Sequence, residues 1–172
     1  ILSENKLRVF DFDDTLAVTD SMIILTKASG EQIKQTPGEW AVYKPEPGDE
    51  FDYSEFGGEL MNPREIKDYM NILRRVLGAG TDGRKAVILT ARAEVARQGI
   101  INFLEDIGLN VGDIEIVTLG ESDPQFKAQW IEDKINDGYD DVYFVDDSDK
   151  NIRAVQALAT KYPDIKLRTQ LV

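Results

Sequence analysis

The sequence predicts an α/β fold built on a parallel sheet. Three observations carry that reading. Five short apolar runs are spread along the 172 residues. Amphipathic helical patterns separate the last four of them, as βαβ units require. And two acids, Asp11 and Asp13, follow directly on the first run, where a strand would hand the chain to a loop.

Taken in order, Leu7 to Phe10 is the first apolar run. It ends in Asp11-Phe12-Asp13-Asp14-Thr15. Carboxylates at i and i+2 can both project from the carboxyl end of a buried strand, where an open α/β sheet binds ligands. Two anions so close repel in a dry site unless a cation such as Mg2+ joins them. One could then attack an electrophile while the other moves a proton. A calcium loop fits poorly, because its sixth position needs Gly and Leu16 stands there.

Leu16 to Met61 is too long for a plain βα loop. It is rich in Gly, Pro and aromatics. Met22 to Lys27 and Glu31 to Thr36 flank Ser29-Gly30 and read as a β-hairpin. Trp40, Tyr43, Phe51, Tyr53 and Phe56 follow. The insertion, approximately residues 16–61, is read as a β-rich flap or minimal cap beside the site, its aromatics forming either a satellite core or part of the cover. No linker divides the chain, so residues 1–172 form one domain.

Asn62-Pro63-Arg64-Glu65 reads as a helix start, with Asn as N-cap, Pro at N1 and Glu at N3. That helix carries Ile66, Met70, Leu73 and Leu77 on one stripe and stops at Gly78. Ala86 to Leu89 is the second strand. A helix from about Ala93 to Ile107 stops at Gly108. Ile114 to Leu119 is the third strand. Asp123-Pro124 starts the next helix, with Phe126, Trp130 and Ile131 facing in, and Gly138 ends it. Val142 to Val145 is the fourth strand. Ser148 caps a last helix that ends before Pro163, and Ile165 to Val172 is the fifth strand. The first, second and fourth runs are continuous and β-rich, as strands covered on both faces are.

Composition narrows the chemistry. There is no Cys and no His, so thiol nucleophiles, disulfides and Ser-His-Asp triads are excluded, and zinc or iron sites are disfavoured. Acid–base work falls to Asp, Glu, Lys or Tyr. The net charge of −12 repels a polyanion unless a local basic patch offsets it, and favours a small substrate or a divalent metal. No run is apolar and long enough to span a membrane. The first strand begins too early to leave room for a signal peptide, so a cytoplasmic location is expected.

Three further signals fall at strand ends or helix starts. Thr90 closes the second strand in Val87-Ile88-Leu89-Thr90-Ala91-Arg92. Lys127 lies in the first turn of the third helix. Asp146-Asp147 closes the fourth strand, and a calcium loop counted from Asp147 again lacks its Gly, at Ile152. If those strands are neighbours, acids, a hydroxyl and an ammonium meet at one edge. Phosphoryl transfer through a carboxylate needs such a set.

The order Asp-x-Asp-x-Thr, strand-end Thr, Lys, then strand-end Asp-Asp resembles the haloacid dehalogenase superfamily. The resemblance covers nearly the whole chain outside the insertion. It implies a Rossmann-like three-layer fold with a five-stranded sheet of order 5-4-1-2-3, and Mg2+-dependent phosphatase chemistry. It implies Asp11 as the nucleophile that forms an aspartyl-phosphate. Asp13 would be the general acid and base, its carbonyl also binding Mg2+. Thr15 would support the loop, and Thr90, Arg92 and Lys127 would bind the substrate. Lys127 would also hold Asp11. Asp147 and Asp146 would complete the metal site, one directly and one through water, and Asp149 is a weaker member of the network. Leu89-Thr90-Ala91-Arg92 and Phe126-Lys127-Ala128-Gln129 are also similar to the 3′-phosphatase domain of polynucleotide kinase/phosphatase enzymes.

The expected activity is thus a phosphomonoester hydrolase acting on a phosphorylated small molecule. A nucleic-acid end or nucleotide is the alternative substrate, with a local patch at Arg92 and Lys127 as its contact. A phosphoacceptor module of the receiver type is the rival from another class. Its acceptor Asp follows the third strand and its Lys the fifth, whereas here the third strand ends at Thr118-Leu119-Gly120 and Lys127 precedes the fourth.

Overall fold

The computed structural model describes residues 5–172. Five strands form the central sheet: β1 (Lys6–Phe10), β7 (Arg84–Thr90), β8 (Ile114–Thr118), β9 (Asp141–Asp146) and β10 (Lys166–Leu171). They lie in the order β10-β9-β1-β7-β8, and every pairing is parallel. Counted in chain order within this sheet alone, the same arrangement reads 5-4-1-2-3. The numbering here is higher because five short strands lie between β1 and β7.

Helices cover both faces, giving a Rossmann-like α/β architecture. Side chains alternate along each strand, and the two sets enter two separate cores. Phe10, Ala86, Ile88, Ile116 and Val145 pack under α2 (Lys67–Gly78) and α3 (Arg97–Asp106), against Met70, Leu73, Ile100 and Leu104. Leu7, Val9, Val87, Leu89, Val142 and Phe144 pack under α4 (Pro124–Asn136), α5 (Asp149–Gln156) and α6 (Leu158–Lys161), against Ile131, Ile135, Ile152 and Val155. Ile88 is fully buried in the middle of the sheet. Ile88→Ala is expected to lower stability by about 2–5 kcal/mol, read as a fall in the urea midpoint at unchanged slope.

Two small antiparallel sheets lie between β1 and α2, the second of them within the insertion. One is the pair β2 (Ala17–Val18) and β6 (Arg64–Glu65). The other has the order β4-β3-β5, from β3 (Ile23–Thr26), β4 (Gln32–Gln35) and β5 (Glu50–Asp52). The hairpin read around Ser29-Gly30 is β3–β4. A short helix, α1 (Pro37–Val42), lies between β4 and β5. Thr36 caps it, accepting from the Glu39 backbone N–H at 3.1 Å, while the Glu39 carboxylate accepts from the Thr36 backbone N–H at 3.3 Å. Trp40, Tyr43, Phe51 and Tyr53 pack on one another, three edge-to-face or stacked contacts linking the four rings. These four form an aromatic cluster of which no ring is fully buried and Tyr53 is 47% exposed. Phe56 stands apart from them.

Three sequence expectations are corrected. Asn62-Pro63 does not start α2. Arg64 and Glu65 pair with Val18 and Ala17, and the Ile66 N–H bonds the Leu16 carbonyl at 2.8 Å, so the helix begins only at Lys67. Asn62 instead takes a left-handed φ of 46° and donates to Asp20 at 2.9 Å. Long-range strand pairing has overridden a good local cap. Gly78 is the last residue of α2, and the left-handed turn comes at Gly80, with φ 87°. Phe126 does not face in: it is 46% exposed, whereas Ile131 is fully buried and Trp130 packs partly against the core.

Candidate active site

β1, β7 and β9 bring their carboxyl ends together. Phe10 is level with Ile88 on one side and Val145 on the other, and the Asp11 N–H bonds the Val145 carbonyl at 2.9 Å. Asp11 therefore leaves β1 beside Asp146. The chain then turns sharply. The N–H groups of Thr15, Leu16 and Ala17 all point at the Phe12 carbonyl, at 3.3, 3.0 and 3.2 Å. Asp14 accommodates the turn with a φ of 60°, a conformation Asp tolerates better than most residues. The turn carries Thr15 back to Asp11, where its hydroxyl donates to Oδ2 at 3.1 Å.

Lys127 is the hub. Asp123 caps α4 through the Gln125 N–H and Pro124 opens it. The first turn then delivers a Lys that is only 3% exposed. Its Nζ lies 2.8 Å from Asp11 Oδ1 and 2.8 Å from Asp146 Oδ2. A cation at a helix N-terminus is disfavoured by the helix dipole, and burial opposes its charge as well. The two carboxylates outweigh both and hold the Lys127 ammonium well above its ordinary value. Asp146 already accepts three hydrogen bonds. Its Oδ1 accepts from the Ser148 N–H at 2.8 Å, and its Oδ2 accepts from Asn151 at 3.0 Å as well as from Lys127.

Burial pushes the Asp11 carboxyl well up. Lys127 pulls the other way, while Asp146 and Asp147 add to the rise. Asp147 is exposed as a residue, yet surrounding protein atoms shield its carboxyl. That desolvation is the first cause raising it to about 6; a hydrogen bond with Asp11 opposes the rise, and Asp146 and Asp14 reinforce it. One ligand oxygen each from Asp11, Asp146 and Asp147 lie within 4.8 Å of one another. An all-oxygen set of crowded acids, two of them raised toward neutrality, suits a hard divalent cation. Of the three, Asp146 already serves three donors.

Thr90 and Arg92 line the other side. Thr90 is 1% exposed, and its Oγ1 accepts from the Arg92 N–H at 3.1 Å, which leaves the hydroxyl proton for a ligand. Arg92 is drawn onto Asp13. Its Nε lies 2.8 Å from Oδ2 and its Nη2 2.8 Å from Oδ1, a bidentate pair. Two hollows of about 490 and 430 Å3 lie elsewhere on the surface, lined around Arg84 and Tyr139 and around Tyr69 and Tyr143, and contain none of these groups.

Asp11, Thr15, Thr90, Lys127, Asp146 and Asp147 thus come together at one sheet edge, with Asp13 and Arg92 paired beside them. Asp149 instead pairs with Arg153 at 2.7 Å on the α5 surface. The sequence reading missed Asn151, which orients Asp146, although its spacing of three from the cap Ser148 is visible. It also missed Thr19 and the Phe56 carbonyl, both of which meet Arg92. A backbone acceptor leaves no mark in a sequence. Compared with family models, curated proteins and solved structures, the chain gives no match. Among the described residues, no helix is long and apolar enough to cross a membrane.

Proposed function

We propose that this chain is a Mg2+-dependent phosphomonoester hydrolase of the haloacid dehalogenase type, acting through an aspartyl-phosphate. The observation that carries the reading is the buried Lys127 ammonium, 2.8 Å from both Asp11 and Asp146 at the carboxyl edge of the sheet. A carboxylate poised beside a fixed cation and a cluster of oxygen ligands is equipped to take up a phosphoryl group.

Asp11 attacks phosphorus, and the alcohol leaves with a proton from Asp13. Water, giving a proton to Asp13, then cleaves the aspartyl-phosphate, releasing inorganic phosphate and the free Asp11. Lys127 and the Thr90 hydroxyl stabilise the phosphoryl oxygens. Thr15 and Lys127 hold the Asp11 carboxylate in line. Asp11, Asp147, Asp146 and the Asp13 carbonyl would hold Mg2+. When bound, the ion supplies the charge that keeps the crowded acids ionised and neutralises phosphoryl oxygens.

A small phosphomonoester is the favoured substrate. Arg92 and Lys127 are buried and each is matched by acids, so they offer no open basic patch to offset the charge of −12. The insertion is the proposed cover. The test is phosphate release from sugar phosphates, nucleoside monophosphates and 3′- or 5′-phosphorylated oligonucleotides, with Mg2+ and with chelator. Chelator-sensitive turnover of the small esters is expected. Selective turnover of an oligonucleotide end would replace the substrate assignment, and silence on the whole panel would favour a phosphoacceptor or binding role.

Metal affinity should depend on pH with a definite sign. Asp147, raised to about 6, binds a cation only after losing its proton. Asp11 is raised as well, so affinity should fall as pH drops through the titration of both carboxyls, by about tenfold per pH unit for each proton released on binding. Mn2+ titration by calorimetry between pH 5 and 8 reads this directly, and an affinity flat across the range would remove Asp147 from the ligand set.

A further inference from the structure

We infer that Arg92 is a positioning residue for Asp13 rather than a ligand of the substrate, and that it couples the aim of Asp13 to the seating of the insertion. The inference rests on the phosphatase reading above, in which Asp13 moves the proton.

All three guanidinium nitrogens of Arg92 are committed to protein acceptors. Nε and Nη2 grip the two Asp13 oxygens at 2.8 Å each, Nη1 donates to the Phe56 carbonyl at 3.2 Å, and Nη2 also reaches the Thr19 hydroxyl at 3.3 Å. The Phe56 ring lies 4.9 Å from the guanidinium carbon, in cation–π range. The Arg92 side chain is 2% exposed, against 24% for Asp13. Four of the five guanidinium N–H groups are engaged in this way, and the fifth, on Nη1, belongs to a side chain almost closed to solvent.

Both ends of this strut are fixed. The Arg92 backbone is clamped between the strand ends, its N–H on Thr90 Oγ1 and its carbonyl accepting from Gly120 at 3.2 Å. The insertion side is seated on α3. A Cβ placed at Gly99 would lie 2.7 Å from the Gly58 carbonyl and 3.3 Å from Glu59 Cα, so residues 56–60 rest directly on that helix. The Glu55 carbonyl accepts from Ser21 at 2.9 Å, and the Met61 carbonyl accepts from the Asp20 N–H at 2.7 Å, securing the segment on either side. An acid–base group loses efficiency when displaced by a fraction of an ångström to an ångström. Lys cannot reproduce the planar two-point grip.

The test compares kcat/KM on an alkyl phosphate and on a nitrophenyl phosphate for wild type, Arg92→Lys and Gly99→Ala. An alkoxide needs a proton as it leaves; a nitrophenolate does not. Arg92→Lys should cost about 100-fold on the alkyl ester and less than about 10-fold on the aryl ester. Gly99→Ala should show the same inequality more weakly. It touches no reacting group and favours the helix locally, so its loss would report the displaced insertion. Equal losses on both esters would overturn the inference and leave the phosphatase reading standing. A wild type inactive on both esters would count against that reading instead, and amide hydrogen exchange then decides the strut without turnover. Arg92→Lys should speed exchange both in residues 13–19 and in residues 56–60, and unchanged exchange in either segment would overturn it.

Discussion

Asp11→Asn is expected to reduce phosphate release by about 10^4-fold or more while leaving the chain folded. The amide keeps the shape of the carboxyl; its oxygen can still accept from Lys127, as Asp11 does at 2.8 Å, while its NH2 then faces the Thr15 hydroxyl, which can turn to accept. It cannot form the acyl-phosphate. Stability should change little. The substitution removes one partner of Lys127, but it also removes a carboxyl that burial, Asp146 and Asp147 all make costly to ionise. Circular dichroism and a urea melt establish the fold, and a phosphate assay on the same preparation gives the rate. Near-normal turnover by a folded Asp11→Asn protein would remove Asp11 as the nucleophile.

Lys127→Met is expected to act on both stability and rate. It leaves the Asp11 and Asp146 carboxyls buried without their shared cation, at a cost of about 3–5 kcal/mol for breaking a buried pair. It also removes a fixed positive charge from the phosphoryl site, worth about 10^2–10^3 in kcat. The ammonium is held above the ordinary lysine value of 10.5. Its contribution is therefore complete below that pH and is lost only as pH rises through the still higher folded value, so any change in the destabilisation between pH 6 and 9 reports the stranded Asp11 carboxyl, which burial pushes well up, and not the lysine. Adding Asp146→Asn to Lys127→Met should recover part of the lost stability, because one of the stranded charges goes with it. Additive losses in the double variant would show that the two groups do not act as a pair.

How much of this was legible in the sequence follows from the range of the interactions involved. The inner sheet strands were visible because strands buried on both faces are nearly apolar throughout, as Val87-Ile88-Leu89 and Val142-Tyr143-Phe144-Val145 are, whereas β10, at the sheet edge, is largely exposed and polar. The site residues were visible because acids and a hydroxyl at the ends of such strands have no packing reason to be there. Lys127 was legible only in company: nothing local separates it from a solvated helix lysine, and its 3% exposure comes from Asp11, 116 positions earlier, and Asp146, 19 later. The false helix start at Asn62-Pro63 shows the converse. Its cap chemistry was sound, but β6 pairs with a strand far upstream, Ala17 against Glu65, 48 positions apart, and that pairing prevailed. The capping box of α1 was readable at Thr36 and Glu39 and was passed over among the aromatics. The partners that Arg92 meets, Asp13, Thr19 and the Phe56 carbonyl, lie 79, 73 and 36 positions away, beyond the reach of any local pattern.

The covalent intermediate is the central claim, and trapping it is the most direct measurement. Asp13→Asn protein, in which the second step lacks its base, is mixed with nitrophenyl phosphate and Mg2+ and quenched in acid. Intact-protein mass spectrometry and peptide mapping then locate any adduct. The account predicts a gain of one phosphoryl group, labile to hydroxylamine, on the peptide carrying Asp11, and none when Asp11 is also Asn. A phosphoryl group on any other residue, or nitrophenol released with no adduct formed, would contradict it.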